Sequence, residues 1–215
     1  MAQILTPLRK NGMTIGEQRF VALLQKHLDD HYLVWYNIAS PGKHSRYPDF
    51  IIFHAKYGLW CLEIKDWHMK SIKGMNKESV TLDKDEQSIQ VTHPLQQARS
   101  SCFPFINNML KDRYLRQSEG RYQGKLLFPW GFGVVMSNWQ RKSIKKETQT
   151  LLEACFPPSL TWYKEDLLEN RLSRHEFISK LHNMLPYRFP TNLTTAQVKR
   201  VRAHIFPECV IRGQE

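Results

Sequence analysis

The chain has 215 residues, 41% of them hydrophobic, which is enough for one domain with a sizeable core. Lys and Arg number 31 against 20 Asp and Glu, and the net charge of +11 suits a polyanionic partner. No apolar run approaches the roughly 18 residues a membrane span needs, and the first residues lack the order of a signal peptide, so the expectation is a cytoplasmic protein with no membrane contact.

Residues 1–13 read as an N-terminal extension. Thr14-Ile15-Gly16-Glu17 opens a helix expected to run to about Asp29, with Phe20, Leu24 and Leu28 on one face at helical spacing. Glu17 has two readings. Thr14-x-x-Glu17 is a capping-box pattern, yet Glu17 also shares the face of Phe20, Leu24 and Leu28, which points it toward the core. Residues 32–38, aromatic and β-branched, predict the first strand. The polar loop 40–46 follows. Gly42-Lys43 there is no phosphate loop, because the required first glycine falls on Asn37 and His44 follows Lys43. Lys43, His44 and Arg46 are placed instead to grip a backbone phosphate.

Residues 47–53 (Tyr-Pro-Asp-Phe-Ile-Ile-Phe) and 59–65 (Leu-Trp-Cys-Leu-Glu-Ile-Lys) predict a β-hairpin joined through residues 54–58, a connection ending in Gly58. Glu63 and Lys65 share one face of their strand. Pairing Phe53 with Leu59 carries Asp49 directly opposite Glu63. Opposed carboxylates repel in a sheet, and a divalent cation is the usual neutraliser. A salt-bridged sheet surface is the alternative. It sits poorly with strands that are apolar on both faces, since charges buried at that depth are paired or metal-bound.

Residues 71–90 are polar with short alternating pieces, expected as a strand pair whose acidic cluster at 83–86 is a solvated turn. Pro94 suits the first turn of a helix, placing Gln96 and Gln97 there, and Pro104 is expected to kink or end it. Residues 105–115 continue as helix, and residues 126–136 predict a further buried strand whose glycines let neighbours approach. A break at 155–158 precedes a helix-rich region at 162–185, and residues 194–208 form a basic amphipathic helix. The basic runs 141–146 (with Lys142, Lys145 and Lys146) and 199–202 (with Lys199, Arg200 and Arg202) either neutralise phosphates or form solvated faces. Cys61, Cys102, Cys155 and Cys209 show no Cys-x-x-Cys pair, which argues for reduced thiols and against a zinc site, a disulfide framework or an iron–sulfur cluster.

Pro48-Asp49, the apolar run and Glu63-Ile64-Lys65 resemble the signature of the PD-(D/E)XK nucleases. More narrowly, residues 47–67 resemble the nuclease-related domain, NERD, with further matches at Gly16-Glu17, at residues 93–99 and at residues 131–136. The resemblance covers roughly residues 14–140. It implies an α/β fold with a restriction-endonuclease-like mixed β-sheet core flanked by helices and a helical C-terminal extension. The expected divisions are 1–13, a nuclease core at 14–140, a basic loop and helical extension at 141–193, and a basic helix and tail at 194–215.

It also implies a metal site at Asp49, Glu63 and the backbone carbonyl of Ile64, with Glu17 on the first helix completing the shell and Gln97 of Pro94-x-x-Gln97 near it. Oxygen ligands suit Mg2+ or Mn2+. Lys65 orients the attacking water or offsets charge on the phosphate, and general-base work by Lys65 stays open. The expectation is a divalent-metal-dependent nuclease acting on DNA, with RNA as a weaker possibility. Residues 194–208 are similar to the segment that precedes a UvrD-type helicase module in longer family members. The alternative is a catalytically silent DNA-binding or docking module of a helicase system. Oligomeric state has no signature in the sequence.

Overall fold

The computed structural model describes residues 1–8, 10–38, 47–84 and 87–207, so Lys43, His44, Arg46 and Cys209 lie outside the described residues. Strand β1 (Gln3–Ile4) comes first, followed by helix α1 (Ile15–His27), then β2 (Tyr32–Tyr36), β3 (Phe50–His54) and β4 (Gly58–Lys65). Thr14 caps α1 with the expected box, its side chain accepting from the Glu17 amide. β2 stops two residues short of the expected 32–38 because Asn37 enters the left-handed region at φ 52°.

Residues 71–90 form a three-stranded antiparallel meander, not a strand pair: β5 (Ile72–Met75), β6 (Ser79–Lys84) and β7 (Gln87–Thr92). Helix α2 (Pro94–Leu110) starts at Pro94 as predicted but runs through Pro104 instead of ending there. Its buried stripe (Cys102, Phe105, Ile106, Met109) lies on both sides of the proline, and that burial offsets the lost backbone bond. Next come β8 (Trp130–Met136), α3 (Lys146–Cys155), β9 (Thr161–Tyr163), α4 (Arg174–His182) and α5 (Thr195–Ile205).

The main sheet has the order β1-β2-β3-β4-β8-β9 and is mixed. The β2–β3 and β3–β4 pairs are antiparallel, whereas β1–β2, β4–β8 and β8–β9 are parallel. Its two edge strands, β1 and β9, come from outside residues 14–140. β9 occupies the start of a region whose sequence reads as helical, and its three residues are fully or nearly fully buried.

Side-chain alternation gives the sheet two apolar faces. Tyr32, Val34, Phe50, Ile52, Trp60, Leu62 and Ile64 pack against α1 and α4. Phe20 of α1 is central there, with ring centroids 5.3 Å from Phe50 and 5.7 Å from Trp162. Leu33, Trp35, Ile51, Phe53, Leu59 and Cys61 pack against α2, with Val201 and Ile205 of α5 in the same cluster. A third cluster joins Val134 and Met136 of β8 to the small sheet and α3. Gly131 and Gly133 lie against Met184, the close approach expected of them. Cys61, Cys102 and Cys155 are buried free thiols. Among the described residues no helix is long and apolar enough to cross a membrane.

Candidate active site

The hairpin has the register that its sequence predicts. Phe53 pairs with Leu59 and Phe50 with Leu62, so Asp49 and Glu63 follow as the next opposed pair. Gly58 holds that register. Its φ is +124°, and a Cβ there would run into the Pro129 carbonyl, which accepts from the Leu59 amide at 3.0 Å.

Glu63 follows Leu59 and Cys61 along the α2 face of β4, and Asp49 is half-buried just before β3. Asp49 Oδ2 accepts a 2.6 Å hydrogen bond from the Ile64 amide. The N–H and C=O of one strand residue point to the same side, so the Ile64 carbonyl is directed toward Asp49 as well. Burial, then the charge of Glu63, pushes the Asp49 carboxyl up to about 8, against the Ile64 amide and Lys65, which lower it. Burial also raises Glu63, which is 7% exposed, while Lys65 opposes the shift. Lys65 Nζ donates to Glu63 Oε1 at 2.6 Å and lies 5.7 Å from the Trp67 ring centroid.

Glu17 occupies both of the positions its sequence context allows. Its Oε2 accepts from the Thr14 amide at 2.6 Å, closing the helix start, and from the Tyr36 hydroxyl at 3.1 Å. Its charge adds the smallest of the contributions that raise Asp49 and Glu63. Burial and Glu17 together shift the Tyr36 hydroxyl upward.

Three residues that sequence reasoning missed hold this arrangement in place. Asp66 Oδ2 accepts from the Gly16 amide at 3.1 Å, and its other oxygen accepts from the Ser137 hydroxyl. The Ser137 amide donates to the Lys65 carbonyl at 3.0 Å, and Asn138 donates to the Asp66 carbonyl at 2.6 Å. The first turn of α1 is thereby tied to the ends of β4 and β8. A Cβ at Gly16 would overlap Asp66 and Ser137, so the glycine before Glu17 is a packing requirement. The available signal was Asp66 itself, a carboxylate directly after a buried strand.

Gln97 lies in the first turn of α2, where its Nε2 donates to the Thr92 carbonyl at 3.0 Å. Cys102 hydrogen-bonds Cys61, and Phe103 meets Trp130 at the Leu59 register. The helix therefore advances away from Glu63 toward its C-terminus, which puts Gln97 at the same end of the sheet as Glu63. Its side chain is engaged at the helix start, and among the described residues no hydrogen bond joins it to a hairpin carboxylate.

The basic residues divide. Lys142, Lys145 and Lys146 are exposed around the start of α3, and Lys199 is exposed on α5. Arg200 is committed elsewhere: it grips Asp112 through two hydrogen bonds of 2.7 and 3.0 Å and lies 4.5 Å over the Tyr114 ring. His204 also bonds Asp112, so this end of α5 is a docking contact, and the hydrogen bonds to Arg200 and His204 hold the Asp112 carboxyl well below the usual range. Arg202 lines a cavity with Asp29 and Asp30 near the hairpin turn.

Lys65 pairs with Glu63 alone, and the oxygen donors that Asp49, Glu63 and Glu17 offer are of the kind that suits Mg2+ or Mn2+. Among the described residues no three His, Cys, Asp or Glu side chains are gathered for metal binding. Each carboxylate is instead turned to a protein partner, Asp49 to the Ile64 amide, Glu63 to Lys65 and Glu17 to Thr14 and Tyr36.

A mixed sheet flanked by helices, with Asp…Glu-x-Lys on an internal hairpin, defines a nuclease-like α/β protein. The chain belongs to NERD, the nuclease-related domain family, whose model matches residues 13–129, more than half of its length. Placement in the PD-(D/E)XK superfamily is consistent with that family. The match takes in α1, the hairpin, the small sheet and α2, and stops one residue before β8. No curated protein and no solved structure matches the chain.

Proposed function

We propose that the chain is a divalent-metal-dependent nuclease that hydrolyses DNA phosphodiester bonds. The observation that carries this reading is the opposed pair of Asp49, half-buried just before β3, and Glu63, buried on β4, both raised chiefly by desolvation, with the Lys65 ammonium 2.6 Å from Glu63. Asp49, Glu63 and the Ile64 carbonyl would hold Mg2+ or Mn2+, with Glu17 nearby. When bound, such an ion relieves charge on the scissile phosphate and lowers the pKa of a water.

The chain's own residues do the rest. The Ile64 amide fixes the Asp49 carboxylate, so its free oxygen is aimed rather than mobile. Lys65 orients the attacking water and offsets negative charge that accumulates on the phosphate. Lys142, Lys145, Lys146 and Lys199 add salt-sensitive affinity for the backbone. The same chemistry serves repair, processing or defence against foreign DNA, and a helicase module in cis or in trans would supply it with opened strands.

The test compares cleavage of plasmid and linear DNA, with an RNA arm, in Mg2+, in Mn2+ and in chelator, for wild type, Lys65→Ala and Glu63→Gln. Metal-dependent cleavage that falls at least about a hundredfold in both variants is the expected result. Tight DNA binding with no cleavage in either metal would instead support the silent docking module.

A further inference from the structure

Between the C-terminal half of α2 and the start of β8 lies a groove of about 580 Å³, on the same face of the sheet as Glu63. Trp130 pairs with Leu59 and Val134 with Glu63, so the groove begins about 13 Å along the strand from the Glu63 register. Its walls are aromatic. Phe103 meets Trp130 edge to face at 5.4 Å, and Tyr187 stacks with Phe189 at 6.2 Å and 10°. Tyr122 and Tyr187 are 57% and 54% exposed; Arg121 lies 5.6 Å over one face of the Tyr122 ring and Phe189 covers one face of Tyr187, so each ring has one face engaged and most of its remaining surface in solvent.

The charge around these rings is positive. Lys125 and Arg188 line the groove, and no Asp or Glu is among its described lining residues. Arg188 donates to the neutral amide of Asn183 and has no ion pair among the described residues, and Arg99 lies 5.1 Å over the Phe103 ring. Exposed rings with a cationic rim match an unstacked base on a phosphate backbone, because every base has a π-face and every linkage a charge. A duplex keeps its base faces covered, so the rings select strands that are not paired.

We propose that this groove binds a single-stranded segment of the nucleic acid, stacking its bases on Tyr122, Tyr187 and Trp130 while Lys125 and Arg188 hold the phosphates. The proposal rests on the nuclease reading and deepens it by naming the substrate class: DNA with a single-stranded tail or gap.

The test reads binding apart from cleavage. A fluorescein-labelled ten-nucleotide oligo(dT) and a ten-base-pair blunt duplex are titrated by anisotropy in chelator, where a failure of the nuclease reading has no bearing on the result. Wild type should bind the single strand more tightly than the duplex. Tyr122→Ala/Tyr187→Ala should weaken that binding by at least about tenfold, and Tyr122→Phe/Tyr187→Phe should restore it, because stacking needs the ring and not the hydroxyl. A parallel titration with oligo(U) assigns DNA or RNA to the same rings. Wild-type affinity in the alanine variant overturns the proposal. So does a groove that joins two copies of the chain, seen as a dimer in sedimentation that the alanine variant abolishes.

Discussion

Asp49 accepts a 2.6 Å hydrogen bond from the backbone amide of Ile64, the residue between Glu63 and Lys65. That bond crosses from one hairpin arm to the other and fixes the Asp49 carboxyl beside the strand that carries Glu63. The protein tolerates the resulting repulsion in a buried place, which is costly unless something outside the chain offsets it.

Asp49→Asn should therefore stabilise the metal-free protein while destroying metal-dependent cleavage. Asparagine keeps an oxygen for the Ile64 amide and removes the charge. The folded Asp49 carboxyl titrates near 8, above its ordinary 3.8, so wild type loses this contribution as pH rises from about 4 to 8. The variant's advantage should be largest near pH 8 and shrink toward zero near pH 4. Urea denaturation of both proteins in chelator across that range is the check. A constant difference would mean that Asp49 is ionised throughout.

Histidines act in the opposite sense. Burial depresses His93 to about 4, and His54 and His182 behave alike. Their neutral forms stabilise the fold above pH 6.5, and that stability is lost as pH falls toward 4. His93→Asn keeps an acceptor at the α2 N-cap, where His93 now accepts from the Leu95 amide, but removes the titration. The slope of unfolding free energy against pH should drop by about one proton in that window, or about 1.4 kcal/mol per pH unit.

Gly16→Ala probes the tie between α1 and the strand ends. The added methyl must displace Asp66, Ser137 or the helix start, at a cost of about 2 kcal/mol by thermal or urea unfolding. Cleavage should fall as well, because Glu17 moves with the first turn. Full activity with the predicted loss of stability would remove Glu17 from the site.

Salt dependence separates the basic runs. Lys142→Ala/Lys145→Ala/Lys146→Ala should reduce the log–log slope of DNA affinity against salt by about 2 to 3, at roughly 0.9 for each phosphate no longer neutralised. Arg200→Ala should leave that slope unchanged, since its guanidinium is held by Asp112. An equal fall in both would make Arg200 a phosphate ligand after all.

The hairpin was legible because a period of two and a glycine turn fix register locally, and Asp49, Glu63 and Lys65 follow from it. The start of α1 was legible for the same reason, as Thr14 and Glu17 form a local motif. The strand β9 was not, because three residues gain their strand character only from β8 alongside. Pro104 misled because helix-breaking is a local preference that burial on both sides overrides. Asp66 and Ser137 meet 71 residues apart in sequence, and no spacing rule reaches that far. The groove at Trp130 joins α2, the 117–130 segment and residues 187–189, which only the folded chain brings together.

In the proposed function, the upward-shifted carboxyls of Asp49 and Glu63 are the ligands of a divalent cation. Calorimetric titration of Mn2+ at pH 7, repeated in two buffers of different ionisation enthalpy, tests it without any substrate. Wild type should bind one ion and release about one proton, because the raised carboxyl must ionise to become a ligand. Asp49→Asn should bind at least about tenfold more weakly and release none. Equal affinity in the two proteins, or no binding in wild type, would mean that Asp49 is not a metal ligand.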